Sequence, residues 1–336
     1  MCKDLMKSTS PLRRRISNVN KLDGVFIIFC FTLSCYYAIY ISMLKVPVYD
    51  ATVYLLNAKS WLNNIPLFEE FRPQLLSWLI AGIWTLTGEN WVIVKYIQPI
   101  FTIGAGIIMY FLFRKHKGAL FAFGVIILTM LNTTVFSMST QILTEGLALF
   151  FLVLTLYLFK SEKENYWFLG GITIGLTFAS RYPIVLQALV IFIVEAIITR
   201  KSKLVLKTIL GISFVMAIVI LAIYFKSGTF KTSLEQDVNF TVFLSPYYLE
   251  NSIDIWGFIF LLVPFAFLFK KTYIDKFNYA FIAWFFASMI FWSANSTNYQ
   301  YRFTVQFTPA VYFLSILAIE NFFSFLKNHV GLTKVK

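Results

Sequence analysis

Histidine is almost missing from this chain: His116 and His329 are the only two, each beside lysines in a polar stretch. A histidine-based metal centre needs several such ligands converging, so that chemistry is set aside. Cysteine is scarce as well. Cys30 and Cys35 fall inside the first apolar run and Cys2 at the N-terminus, so no disulfide framework is implied. Charge is the third shortage: 13% of 336 residues, against roughly a quarter in a soluble domain. Acidic residues are the fewest, 16 against 29 Lys and Arg. There is no polar segment large enough for a soluble domain, no low-complexity linker, and no internal repeat of roughly 20–50 residues.

What remains is apolar. Hydrophobic residues make up 59% of the chain, with 38 Phe and 18 Tyr, and the mean hydropathy is +0.73. The composition implies a single all-α, multi-pass domain of the cell membrane. Its net charge of +13 is read through the cytoplasmic bias of Lys and Arg in membrane proteins, not as a nucleic-acid footprint. The start, "MCKDLMKSTSPLRRRISNVNK", resembles a signal peptide, but the apolar run after it is too long for an h-region and no A-x-A site follows. It is read as a first span with a basic cytoplasmic N-terminus over 1–23.

A span needs about 20 apolar residues. Candidates are 24–44, 91–113, 119–139, 143–159, 166–181, 183–199, 205–225, 253–269, 277–293 and 303–323. The run "LLSWLIAGIWTLTG", 75–88, reaches only about 21 Å at 1.5 Å per residue. If it stays on one side, 21 of the 29 Lys and Arg residues fall on the side of the N-terminus; if it crosses, most of the basic clusters move outside. The expectation is therefore about ten transmembrane helices, both termini cytoplasmic, and a short helix at 75–88 lying at or dipping into the outer face. Residues 24–225 would form one helical module with an external loop at 45–90. Residues 226–336 would add a second external loop and the C-terminal helices.

The outer side then carries most of the chemistry. In "KVPVYDATVYLLNAKSWLNNIPLFEEFRPQ", residues 45–74, Tyr54, Leu55, Ala58, Trp61 and Leu62 share one helical face opposite Thr52, Lys59 and Asn63, as in an interfacial helix. Asp50 stands at its start. It can serve as an N-cap acceptor, or as a carboxylate that takes a proton from an attacking hydroxyl. Glu145, with Thr144 beside it, opens a later span as either cap or second external acid. Arg72, Arg181 and Arg302 all fall at the outer boundary. Arginines there often snorkel to lipid phosphates, but three on the side opposite the basic loops suit bidentate phosphate binding. Glu195, one turn from Arg200, is read as paired or snorkelling. Asn239 and Asn295 begin glycosylation sequons.

The order of these features resembles the GT-C superfamily of membrane glycosyltransferases, in particular the protein O-mannosyltransferase and aminoarabinose transferase branches. The residues that carry the likeness are Asp50, Tyr54, Ala58, Pro66 and Arg72-Pro73. "STQILTEGLALFFLVL", "GLTFASRYP" and "YRFTVQFTPAVYFL" follow in place. Ala51 replaces the acid that often follows the Asp, Asn64 stands where Gly is common, and Gln74 replaces a second Pro. The resemblance implies an inverting hexosyltransferase that uses a polyprenyl-phosphate sugar on the extracytoplasmic face. Asp50 would be its general base; Glu145, Arg72, Arg181 and Arg302 would bind substrate. It implies no cofactor, and the related enzymes differ in metal use. The alternatives are a transporter or flippase for a lipid or small anion, whose ionisable groups commonly lie near the midplane, and a non-catalytic assembly subunit of the same fold.

Overall fold

The computed structural model describes residues 21–43, 47, 49–161, 163–231, 245–294 and 300–329. The two sequons, Glu235 and Asp237 lie wholly or partly outside them. In chain order the helices are α1 (Lys21–Met43), α2 (Tyr49–Leu62), α3 (Leu75–Thr87), α4 (Trp91–Val94), α5 (Ile97–Lys117), α6 (Ala119–Leu131), α7 (Thr133–Ser139) and α8 (Glu145–Phe159). They continue as α9 (Asn165–Ser180), α10 (Val185–Thr199), α11 (Ser202–Ser227), α12 (Tyr247–Glu250), α13 (Ser252–Trp256), α14 (Val263–Ala266), α15 (Lys270–Ile274), α16 (Lys276–Ala294) and α17 (Thr308–His329). No strand occurs among the described residues.

Apolar residues are sorted to suit lipid. Helix α1 buries the stripe Phe26, Leu33, Tyr37 and Ile41 and turns Ile27, Ile28, Phe31 and Ile39 outward. An exposed apolar surface of that extent would be a liability in water. Helix α8 is the opposite case: Leu147, Leu149, Leu152, Val153 and Leu156 are all fully buried, so it runs through the centre of the bundle. Helices α5 and α9 flank it. Helices α9 and α11 approach backbone to backbone. A Cβ on Gly171 would lie 2.1 Å from the Thr208 carbonyl oxygen, and one on Gly211 would lie 2.4 Å from that of Phe168. Small residues at such a crossing let main chains touch.

Among the described residues six helical segments are long and apolar enough to cross a membrane: Lys21–Met43, Trp91–Lys117, Tyr182–Thr199, Ser202–Ser227, Lys276–Ala294 and Thr308–Lys327. The remaining four expected spans take other forms. The 119–139 run is bent by 63° between α6 and α7. Asn132 makes the bend: its backbone leaves the helix and its Oδ1 accepts from the Thr134 and Val135 amides, capping α7. Helices α8 and α9 are 15 and 16 residues long, about 22–24 Å. The 253–269 run is broken into α13, a 3-10 turn at Phe258–Leu262, and α14. Gly257 at φ +75° ends the first piece and Pro264 sits in the first turn of the last.

Charges separate to two ends. At one end Arg114 pairs with Asp23 at 2.8 Å, Lys117 with Asp275 at 2.5 Å, Lys160 with Glu195 at 2.6 Å and Lys207 with Glu164 at 3.6 Å. Asp50, Arg72, Glu145, Arg181 and Arg302 gather at the other. Glu195 is thus paired, as read from its position near the end of α10.

Candidate active site

The site is built on α2 and the loop after it. Ala51, Tyr54 and Ala58 are buried along one face of α2, as the helical pattern predicts, and pack on Leu76, Ile80 and Trp84 of α3. Helix α3 lies against α2, with the Ser77 hydroxyl donating to the Tyr54 carbonyl at 3.2 Å. The chain turns out of α2 at Asn64, whose φ is +52°. Asn is among the few residues that tolerate this left-handed conformation in place of Gly, which accounts for that departure from the family pattern.

Two buried amides then fold the loop back. The Asn57 Oδ1 accepts from the backbone amides of Phe68 (2.9 Å) and Glu69 (3.1 Å), and its Nδ2 donates to the Glu69 carbonyl at 2.9 Å. Gln74 accepts from the Trp61 indole at 3.1 Å and donates to the Arg72 carbonyl at 2.8 Å. Where a second proline would stiffen the chain by its ring, Gln74 holds it by hydrogen bonds. Tyr182 adds a bond from its hydroxyl to the same Arg72 carbonyl, at 3.4 Å.

Asp50 lies within the first turn of α2, not ahead of it. Its side chain serves the arginines: Arg72 Nη2 donates to Oδ1 at 3.2 Å, and Arg302 Nη1 donates to Oδ2. Of the two readings, the cap therefore gives way to an ion-pair cluster, drawn together across 252 positions of sequence. Arg72 is held from its other side by Glu69, 2.8 Å from its Nε. The Asp50 side chain keeps 19% of its surface exposed, enough for a solute hydroxyl to reach it. Burial pushes its carboxyl up. The hydrogen bond from Arg302 and the charges of Arg302, Arg72 and Arg181 more than offset that and hold it below the usual aspartate range.

Beneath this lies a second pair. Glu145 Oε1 accepts from Arg181 Nη1 at 2.5 Å, and Thr144 Oγ1 lies 3.4 Å from the same nitrogen. Glu145 is 1% exposed, and its Oε2 is buried with no hydrogen-bond partner. Neither Glu145 nor Thr144 caps α8. That role falls to Gln98 of α5, whose Oε1 accepts from the Leu147 amide at 3.0 Å. Gly146 permits the approach, since a Cβ there would meet Thr102 Oγ1 at 2.5 Å. The Arg181 and Arg302 guanidiniums stand 5.2 and 5.4 Å from the centre of the Phe303 ring, so Phe303 joins the two layers. Burial pushes the Tyr54 phenol up, against the charges of Arg181 and Arg72 that bear on it.

All five residues singled out from the sequence meet in this cluster. Asn57, Glu69, Tyr54, Phe303 and Gln98 complete it without having been singled out as site residues. Asn57 had a readable signal, as an amide on the same side of α2 as Tyr54 and Ala58. Gln98 had none. Among the described residues no three His, Cys, Asp or Glu side chains come together as a metal cage would require.

Comparison with known proteins adds the following. The dolichyl-phosphate-mannose-protein mannosyltransferase family matches residues 72–225, a segment holding Arg72, Glu145 and Arg181 but not Asp50 or Arg302. The chain superposes on the crystal structure of ArnT from Cupriavidus metallidurans bound to undecaprenyl phosphate, with a TM-score of 0.73 and 13% identity over 92% of this chain. For the apo state of ArnT the TM-score is 0.72, also at 13% identity, over 93% of this chain and 63% of that one. An oligosaccharyltransferase from Archaeoglobus fulgidus, tethered to an acceptor peptide with an NVT sequon, gives 0.54 at 14% identity, over 91% of this chain and 51% of that one. No curated protein matches in sequence. The chain spans 63% of the length of the undecaprenyl-phosphate-bound ArnT. The fold resembles the GT-C fold of ArnT. Within the GT-C superfamily the likeness is to the mannosyltransferase and ArnT branches.

Proposed function

We propose that the chain is an inverting glycosyltransferase that moves a hexose from a polyprenyl-phosphate donor to a hydroxyl of a protein, lipid or glycan acceptor. It would work on the extracytoplasmic face, with both termini cytoplasmic. The observation that carries this reading is a partly open carboxylate, Asp50, flanked by the Arg72 and Arg302 guanidiniums. The ArnT structure with bound undecaprenyl phosphate and the mannosyltransferase match support the donor class.

The chemistry then divides among the residues. The donor phosphate engages Arg72 and Arg302 and draws them from Asp50, which loses part of its charge compensation and becomes a better base. The acceptor oxygen attacks the anomeric carbon from the face opposite the phosphate. Its proton passes to Asp50, and the bond to the phosphate oxygen breaks with its electron pair. The negative charge on the departing phosphate meets guanidiniums already in place, an electrostatic stabilisation of the oxyanion-hole kind. Glu145, too buried to touch an acceptor, holds Arg181 at the second layer. No cofactor is assigned.

The test incubates the purified full chain with a panel of polyprenyl-phosphate sugars and acceptors and follows released polyprenyl phosphate. Release that requires both acceptor and Asp50 supports the reading. Binding of polyprenyl phosphate without any release would favour the non-catalytic alternative.

A further inference from the structure

At the end of the bundle opposite Asp50, two cations without a carboxylate partner share one groove. The carboxylates nearest them in sequence are already committed: Glu195 to Lys160 at 2.6 Å, and Asp275 to Lys117 at 2.5 Å. Arg200, just past the end of α10, and Lys276, the first residue of α16, pair with no carboxylate among the described residues. Both line one groove of about 670 Å³ between these packed helices. Its remaining lining is Val194, Ile197, Ile198 and Tyr279. The Tyr279 hydroxyl donates to the Tyr273 carbonyl at 2.5 Å, so its ring stands as a fixed wall.

The lining specifies an amphiphile with a negative head. Two unpaired cations require an anion, and the aliphatic side chains below them require a hydrocarbon body. A free phosphate would leave the apolar wall uncovered. A zwitterionic lipid would bring its own ammonium against Arg200 and Lys276. We propose that this groove binds an anionic phospholipid of the surrounding leaflet. Its phosphodiester lies between Arg200 and Lys276, and an acyl chain runs along Val194, Ile197 and Ile198. Basic pockets between membrane helices recognise lipid head groups in this way, each cation near the surface contributing about a factor of five in affinity. The site is separate from the Asp50 cluster and does not depend on the proposed reaction.

The experiment is native mass spectrometry of the full chain released from micelles holding equal amounts of phosphatidylglycerol and phosphatidylcholine. One tightly retained phosphatidylglycerol is expected, preferred about thirtyfold over phosphatidylcholine and not displaced by excess inorganic phosphate. In Arg200→Asn/Lys276→Gln the preference should fall to near unity; Asn suits the left-handed backbone of residue 200 (φ +56°). Lys203→Gln/Lys270→Gln removes the same charge from exposed positions outside the groove and should keep the preference. Arg200→Lys/Lys276→Arg should keep most of it. The proposal is overturned if the wild type shows no anionic preference, or if the groove and control pairs lose it equally, since bulk attraction then explains the binding. Retention of the preference by a folded Arg200→Asn/Lys276→Gln variant overturns it as well.

Discussion

Asp50 has two tasks that one substitution separates. As a counter-ion it balances Arg72 and Arg302, and as the proposed base it must be ionised. Asp50→Asn keeps the size and removes the charge, so transfer should fall to background. Stability should drop by about 1.5–3 kcal/mol, the worth of a hydrogen bond to a charged group. Transfer rate and denaturant midpoint measured together check this, and an active Asn variant would remove Asp50 from the chemistry. Because the carboxyl is held below the usual aspartate range, its contribution to stability is present above the unfolded-state pKa. That contribution is lost only as pH falls through the lowered value. The stability gap between wild type and Asp50→Asn should therefore be flat through neutral and mildly acidic pH and close only below the ordinary aspartate range. Arg302→Lys keeps charge but loses the planar fork. Donor turnover should fall about tenfold to a hundredfold, whereas a lipid anchor would tolerate the change.

At the scale of elements, the site depends on how α2 holds its following loop and on how α9 meets α11. Asn57 makes three hydrogen bonds to the backbone of 68–69. Asn57→Ala should leave the Phe68 and Glu69 amides unsatisfied and the Glu69 carbonyl with only its 3.4 Å bond from Gln74, cost about 1–3 kcal/mol, and loosen Glu69 and with it Arg72. The expected kinetic signature is a raised donor KM with a smaller change in kcat, read from initial rates. Gly171→Val offers a sharper structural test. Its Cβ would fall 2.1 Å from a backbone oxygen that no rotamer change can move, so the helices must part. The loss should reach about 3 kcal/mol or more, at the upper end of overpacking costs. Gly175→Ala meets only the Val215 side chain, at 2.6 Å, and should cost about half as much. Thermal unfolding in detergent ranks the two, and equal stability would mean the crossing is looser than described.

For the molecule as a whole, the sorting of charge predicts orientation. The basic end holds Arg114, Lys117, Lys160 and Lys207 in ion pairs with Asp23, Asp275, Glu195 and Glu164, and the positive-inside tendency predicts that it faces the cytoplasm. Single cysteines at Asn63 and Glu89, in a cysteine-free background, should react with an impermeant thiol reagent on intact cells. Those at Ser161 and Ser202 should react only after permeabilisation. Reversed labelling would invert the topology and put Asp50 on the wrong face for a lumenal or external donor. Labelling of residue 89 on the opposite side from residue 63 would mean that α3 crosses.

Membership of the membrane class, the helical fold and the separation of two charged ends were legible in the chain because each depends on local sums. A run of apolar residues prefers lipid wherever it sits, and a Lys-rich loop keeps its charge whatever it packs against. The buried face of α2 and the short helix at α3 were readable for the same reason, through spacing and length. What Asp50 does with its carboxylate was not. As a residue beside a helix start it reads as a cap or as a base, and only the folded chain brings Arg302 to it from 252 positions away. The bend at Asn132 and the break at Gly257 were hidden too, since an apolar window averages over a single hydrogen-bonding or left-handed residue. Tertiary structure also decided that Glu145 lies beneath the site, because its depth is set by Gln98 drawing α8 against α5. Pattern within one helix carries no information about the side chain another helix will bring to its end.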